Sequence, residues 1–404
     1  MQEIERIGNQ SSGLDIIRGK YLRGEIISAQ GNVESGFRNF FIKNGYIEKT
    51  AASLISNKDS TVIFSGASIS ALKEELVTGK IPGNGFFVIQ PCIRTRDFKN
   101  GFDNEVIPFG QTFFNMVCTL SRPGRYKDVC EEAIAYIEGT LGIEKSRIVI
   151  IPTSTNDDLV QPFQQSEVLR DVSVRFDSRK KYTWKYGIPN VSGIGLSINI
   201  VNPADGNLWD VGNIVSIRNF ENVELGIEFG FGIEFMLSAA LGVAEPIRMS
   251  VISQVEQYKE GLHQKYVTYL EAALQMMNAG AIIGDKKADH LYKQYWKSIN
   301  LIRKSLGLNL NEVLNTSSKY SELREFPGWE EKLSSVANFL NKHEKRIEGL
   351  VYFANKINRG RDKFTNPEIS LKKYALQNGI RNEEAFGVLN ERFSHLAALF
   401  KNIK

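Results

Sequence analysis

The chain has 404 residues, 42% hydrophobic and 24% charged, which is enough for two or three globular domains that each bury a core. Its formal charge of +4 is too small to signal a polyanion partner by itself, and three cysteines with no CxxC pair and no evident framework of bridges suggest a reducing compartment. All four histidines (263, 290, 343 and 395) lie in the second half, so the first half has no histidine base, no Ser-His-Asp triad and no histidine metal site.

The opening MQEIERIGNQ is charged, and no apolar stretch approaches about 18 residues, so we expect a cytoplasmic chain without a membrane span. Helices are predicted at 31–45 and 125–142, the second closed by Gly142. Strands are predicted at 61–66, 85–94, 111–120, 146–152 and 195–201, from runs rich in β-branched and aromatic residues. Strands and helices alternate without regular βαβ spacing, which points to a mainly antiparallel α+β domain over residues 1–248. From 249 the apolar period changes to 3.6. Val251, Ile252, Val255, Tyr258, Leu262, Tyr266, Leu270 and Leu274 predict one helix face. Leu291, Tyr295, Ile299, Ile302 and Leu306 predict a second, and Leu333 to Ala354 a third after Pro327. Residues 249–404 therefore read as an all-α domain, with 358–368 as an internal loop.

Four stretches of the first domain carry chemistry. FRNFFIKNGYIEKTAASLISNKDSTVIFSGASISALKEEL (37–76) combines a helix ending in FFxxxG with a strand. QPCIRTRDFKNGFDNEV (90–106), followed by QTFFNM (111–116), is a strand, a charged loop and a strand. By itself an arginine-rich loop is most often a solvated hairpin, yet Arg94 offers a planar guanidinium suited to bidentate phosphate binding. YTWKYGIPNVSGIGLSINI (182–200) joins Trp184 to Gly187 and Gly193, and glycines let the backbone approach a small ligand. IEFGFGIEFML (227–237) alone would be a packing motif.

In this order the stretches resemble the catalytic core of class II aminoacyl-tRNA synthetases, most closely alanyl-tRNA synthetase. The second resembles the family's Q-x-C-x-R-A-G-G-K-H-N-D-L-E-N-V and H-T-F-F-E-M. The third resembles N-F-W-x-M-G-x-x-G-P-C-G-P-C-S-E-I. GNIVSIRNF (212–220) resembles W-N-x-V-F-x-Q-F, with Gly212 for the tryptophan, and the fourth stretch resembles V-D-T-G-M-G-L-E-R-I. The resemblance implies a class II synthetase-like antiparallel sheet with flanking helices. It implies ATP and Mg2+ as cofactors, with Arg94 catalytic on the α-phosphate and Phe114, Lys99 and Gly232 also at the nucleotide. It places Glu228, Asn213, Trp184 and Val215 at the amino acid, which is alanine or a related or larger one, and makes tRNA the acceptor and a homodimer possible. No protein-built metal site is expected.

Two positions depart from the family. Glu228 stands for the aspartate that holds the α-ammonium, and Phe235 for an arginine that sits against ATP. Phe235 is expected either to weaken activation or to be offset by another cation, with Arg96, Lys99, Lys185 and Arg218 as candidates. Three readings remain open: a synthetase, a paralogue loading an unusual amino acid through a pocket enlarged at Gly212, and a non-catalytic binding module. The family's editing domain, with its HxxxH and CxxxH zinc ligands, has no counterpart in this sequence. Residues 341–404 hold thirteen Lys and Arg against seven Asp and Glu, with Arg359, Arg361 and Lys363 crowded in one loop as the expected RNA contact.

Overall fold

The computed structural model describes residues 13–56, 62–108, 110–152, 157–176, 183–359, 366–390 and 392–401. Contacts divide the chain into two compact units, residues 1–93 with 113–254 and residues 94–112 with 255–404.

The first unit is built on a nine-stranded sheet. Its strands are β1 (Ile47–Glu48), β2 (Phe86–Ile93), β3 (Phe113–Ser121), β4 (Ile148–Pro152), β5 (Ser173–Val174), β6 (Thr183–Lys185), β7 (Val191–Val201), β8 (Leu208–Asn219) and β9 (Glu224–Gly232). The order is β1-β2-β3-β9-β8-β7-β4-β5, with β6 added to β7. Among the described residues only the end pairs β1/β2 and β4/β5 run parallel, and every other pairing is antiparallel, as the irregular strand spacing suggests.

Helices α1 (Gly13–Leu22), α2 (Ile26–Lys43), α3 (Lys73–Thr78), α4 (Tyr126–Gly139), α5 (Gln161–Gln165) and α6 (Ile233–Leu241) flank the sheet. The main core lies between one sheet face and α2 and α4. Phe37 meets Phe41 at 4.4 Å and Tyr136 at 5.2 Å between ring centroids, and Tyr136 stacks on Phe231 at 5.9 Å. Each such ring, fully removed from water, contributes about 1.5–3 kcal/mol. The Tyr136 hydroxyl donates to the Val33 carbonyl at 3.1 Å, so the one polar atom it brings into this core is satisfied. The strand expected at 61–66 is reduced, in its described part, to a single bridge between Ile55 and Phe64.

The second unit is helical: α7 (Leu262–Asn278), α8 (Lys287–Ser305), α9 (Leu310–Leu323), α10 (Trp329–Asn358), α11 (Pro367–Gln377), α12 (Asn382–Asn390) and α13 (Ser394–Ala397). The helix predicted from 251 starts instead at Leu262, because Gly261 at φ 73° breaks it and 251–254 form only a 3-10 turn, which sits in the first unit. Helix α9 starts on a capping box, with Asn309 and Glu312 each bonded to the other's backbone N–H. Helix α10 buries Leu333, Val336, Leu340, His343, Ile347, Leu350 and Ala354, a seam at helical spacing. No helix among the described residues is long and apolar enough to cross a membrane.

Candidate active site

Directly opposed residues of neighbouring strands point to the same sheet face, so register decides which side chains can meet. Glu228 of β9 lies opposite Leu120 of β3 and Val215 of β8. Gly230 lies opposite Cys118 and Asn213, and Gly232 opposite Met116. Phe114, two residues before Met116, shares their face. On β7, Gly195 opposes Val215, Ser197 opposes Asn213 and Gly193 opposes Trp184 of β6. Six residues singled out in the sequence, Phe114, Trp184, Asn213, Val215, Glu228 and Gly232, thus share one face. Phe229, Phe231, Ile198 and Ile214 point to the other face, into the aromatic core.

Glu228 is half-buried and held in a specific way. The Tyr186 hydroxyl donates to its carboxylate at 2.7 Å, and the Cys118 thiol lies 3.6 Å from it. Burial raises the carboxyl's pKa, and the hydrogen bonds from Tyr186 and Cys118 oppose that rise. Burial also drives the Tyr186 phenol well above its ordinary range, as does the neighbouring Glu228, so the phenol is a proton donor at neutral pH. Gly193 makes this arrangement possible: a Cβ there would fall 2.4 Å from Val215 Cγ1 and 3.0 Å from the Tyr186 ring. Ile69, Leu72 and Leu76 close an apolar wall over Val88, Cys118, Val215 and Ile217, with Trp184 packed half-buried against it.

At the end of β9 the face becomes aromatic. A Cβ built on Gly232 would lie 3.6 Å from the Phe235 ring and 3.8 Å from that of Phe114, which is itself buried. Phe235 therefore extends an apolar surface beside Phe114. Next to it, Glu234 is buried and tied into the fold. It accepts from the Asn115 backbone N–H at 3.0 and 3.2 Å, the Asn115 side chain at 3.3 Å and Gln30 at 3.4 Å, and Gln30 also donates to the Met249 carbonyl at 2.6 Å. The motif glutamate is thus a brace joining α2, β3 and α6.

Arg94 is exposed directly after β2, and its backbone N–H donates to Thr112 at 2.9 Å. Lys99 is exposed in a 3-10 turn, Arg96–Asn100. Both belong to the segment that groups with the helical unit. Of the cations considered as replacements for the missing arginine, Arg218 is on the wrong face. It bonds Ser216 at 3.0 Å and Asn222 at 3.1 Å, and Ser216 opposes Ile227. Gly212 also faces the aromatic core: it opposes Phe231, and a Cβ there would meet Phe231 Cβ at 2.7 Å. Its lack of a side chain allows close packing there and adds no room on the Glu228 face, which corrects the expectation of an enlarged pocket. Arg359 is exposed just past α10, while Arg361 and Lys363 lie outside the described residues. Among the described residues no cluster of three or more His, Cys, Asp or Glu is placed to hold a metal ion.

Sequence reasoning missed Tyr186, Gln30 and Asn115. Tyr186 lies two residues after a recognised tryptophan, but its reach to Glu228 spans 42 positions and leaves no local pattern.

Residues 32–200 match the family model of class II (A) tRNA synthetases. Over these residues the sheet unit is similar to a class II aminoacyl-tRNA synthetase catalytic core. The particular relatives it resembles are alanyl-tRNA synthetases. It is 24% identical over 238 residues to alanine–tRNA ligase of Bdellovibrio bacteriovorus, covering 52% of this chain and 26% of that protein. It is 28% identical over 136 residues to the enzyme of a Chelativorans species, covering 33% and 15%. The matched part thus spans about a quarter or less of those relatives. Among solved structures, asparaginyl-tRNA synthetase from Pyrococcus horikoshii in complex with asparaginyl-adenylate aligns over 56% of this chain and 67% of its own, at 9% identity and a TM-score of 0.33. Aspartyl-tRNA synthetase from Entamoeba histolytica aligns over 62% and 65%, at 12% and 0.32.

Proposed function

We propose that this protein activates an amino acid with ATP to an aminoacyl-adenylate and transfers it to a tRNA 3′ end. The observation that carries this reading is the register of β3, β6, β7, β8 and β9. It gathers Phe114, Trp184, Asn213, Val215, Glu228 and Gly232 on one sheet face, around a half-buried carboxylate. In the proposed reaction the α-ammonium binds Glu228, and Asn213, Trp184 and Val215 line the side-chain pocket. The substrate carboxylate attacks the α-phosphorus, a P–O bond forms, and the bond to pyrophosphate breaks. Negative charge develops on the α-phosphate oxygens, where the guanidinium of Arg94 stabilises it by paired hydrogen bonds. Lys99 is assigned to the phosphates and Phe114 with Gly232 to adenine. Mg2+ arrives with the nucleotide, and Arg359, Arg361 and Lys363 are assigned to RNA. The assignments of Arg94 and Lys99 rest on the motif resemblance.

Loss of one charged donor at a phosphoryl site costs about 3 kcal/mol of transition-state stabilisation. Arg218 is turned to the other face, and Lys185 shares that face because both oppose Ser192, so Arg96 and Lys99 are left to offset Phe235. A second reading, an adenylate-binding module without turnover, is favoured by the apolar contact of Phe235 with the Gly232 and Phe114 surface. A synthetase for an unusual amino acid keeps the longer Glu228 as its support and loses Gly212.

Pyrophosphate exchange over a panel of amino acids, run beside calorimetry with ATP and a non-hydrolysable alanyl-adenylate analogue, separates the three. Exchange with alanine supports the synthetase, exchange with another amino acid supports the altered specificity, and tight analogue binding without exchange supports the module. If neither ATP nor the analogue binds, the assignment of this face is wrong.

A further inference from the structure

Residues 94–112, which carry Arg94 and Lys99, are seated on the helical unit by one unusual side chain. Lys265, in the first turn of α7, is fully buried. Its Nζ donates to the carbonyl oxygens of Asn100 at 2.9 Å, Asp103 at 2.5 Å and Val106 at 3.0 Å. An ammonium has three N–H donors and no acceptor, so these carbonyls use all of its hydrogen-bonding capacity. The stem runs past Tyr269, with Nζ 5.6 Å from the ring centroid. Further anchors surround it. Ser298 of α8 donates to the Gly101 carbonyl at 2.5 Å, Gln264 donates to Pro108 at 3.2 Å, and Phe98 stacks on Tyr295 at 4.0 Å between centroids. On α12, a Cβ at Gly387 would lie 2.4 Å from the Phe102 carbonyl oxygen, so only glycine lets the segment come this close.

A methionine or leucine would fill the same space without placing a charge in a dry interior, where an unpaired ion is costly. Burial does act on this ammonium, lowering its pKa to about 8 against the upward pull of Asp103. What the ammonium adds over an apolar side chain is geometric. It fixes three peptide groups within seven residues, immediately after Lys99.

We propose that Lys265 is a positioning residue for the nucleotide loop, fixing the backbone conformation in which Arg94 and Lys99 are offered to the phosphates of ATP. This rests on the functional reading above. Lys265 is not assigned a contact with substrate; it acts through the loop, so α7 of the helical unit sets the phosphate affinity of a motif that belongs in sequence to the synthetase core.

The test uses the full chain with Lys265→Met, which keeps the stem and removes the ammonium. Hydrogen exchange of the amides of 98–107 is expected to accelerate at least about tenfold while α7 and α8 keep their protection. Kd and KM for ATP are expected to rise about tenfold, since a displaced catalytic group costs one to two orders of magnitude, and KM for the amino acid to stay within about twofold. On an Arg94→Ala/Lys99→Ala background, Lys265→Met should weaken ATP binding no further. Unchanged exchange in the loop overturns the proposal, as does faster exchange with unaltered ATP parameters. A lower kcat at unchanged KM for ATP overturns it as well, because that pattern reports a smaller folded fraction. If Lys265→Met does not fold, Ser298→Ala removes a neighbouring anchor without exposing a charge and should shift ATP affinity in the same direction by about threefold. No shift there also overturns the proposal. If Arg94→Ala leaves ATP affinity intact, the functional reading has failed first. If Arg94→Ala weakens ATP and both anchor variants do not, this inference alone has failed.

Discussion

Replacing Glu228 by Gln tests the heart of the sheet-face assignment. Glutamine keeps the volume and leaves an oxygen to accept from Tyr186, now 2.7 Å from the carboxylate, so packing is nearly unaltered and the charge is what disappears. For an α-ammonium bound at this half-buried position, losing that charge should cost about 2 kcal/mol, or roughly a thirtyfold rise in Kd for the amino acid, with ATP binding unmoved. The pH dependence sharpens the test. Burial raises the carboxyl's pKa above its unfolded 4.5, so between those two values the folded chain holds a proton that the unfolded chain has released. Stability of the wild type must therefore fall as pH rises through that window. Glu228→Gln lacks the titration, so its denaturation midpoint should match the wild type near pH 4 and exceed it above the window. A bound ammonium favours the ionised carboxylate and expels the proton, so wild-type affinity should climb with pH over the same interval and the variant's should stay flat. Denaturation midpoints and calorimetry of the amino acid, each at several pH values, read the two effects. Equal affinity of the two proteins at neutral pH would refute the reasoning and leave Glu228 as a structural partner of Tyr186.

Arg94→Ala should abolish ATP-dependent pyrophosphate exchange and, because the side chain is exposed, leave the free energy of unfolding in urea within about 0.5 kcal/mol of wild type; retained exchange would remove Arg94 from the site. Glu234→Ala strands the buried Asn115 backbone N–H and the Gln30 amide, so chemical denaturation should show a loss of about 2–3 kcal/mol, and a loss under about 0.5 would contradict its bracing role. Replacing Arg359, Arg361 and Lys363 together by alanine should weaken tRNA binding, lower the salt slope by up to about three and leave adenylate formation alone; identical salt series would take RNA contact away from this loop.

The sequence made some elements plain and hid others for physical reasons. β2, β3, β4 and β7 are legible because Phe, Val and Ile dominate them, and α2 and α4 because their apolar residues recur at helical spacing. β8 and β9 are less so, since Gly212, Gly226, Gly230 and Gly232 dilute the strand signal while their motifs stand out. At 251–261 the apolar spacing suits a helix, yet it serves a short 3-10 turn and a connection ended by Gly261. Motif matching reached six residues that share a face because strand pairing is regular. It could not reach Tyr186, Gln30 or Lys265, whose partners lie 42, 204 and about 160 positions away, where nothing local constrains the residue type. Motif matching also attached Arg94 to the sheet by sequence, whereas packing attaches its segment to α7 and α8.

The three cysteines, all buried, give the molecule a built-in clock. Cys118 sits on the Glu228 face, and burial with that carboxylate keeps its thiol protonated, while Cys130 lies in the aromatic core behind the sheet and is held protonated by burial. Only the thiolate reacts with alkylating reagents, so neither can be modified while its surroundings stay closed. The rate at which Cys118 is alkylated therefore counts openings of the Glu228 face, and the rate at Cys130 counts openings of the core. Their ratio compares how often the two sides of one sheet open, without a reporter residue having to be engineered in.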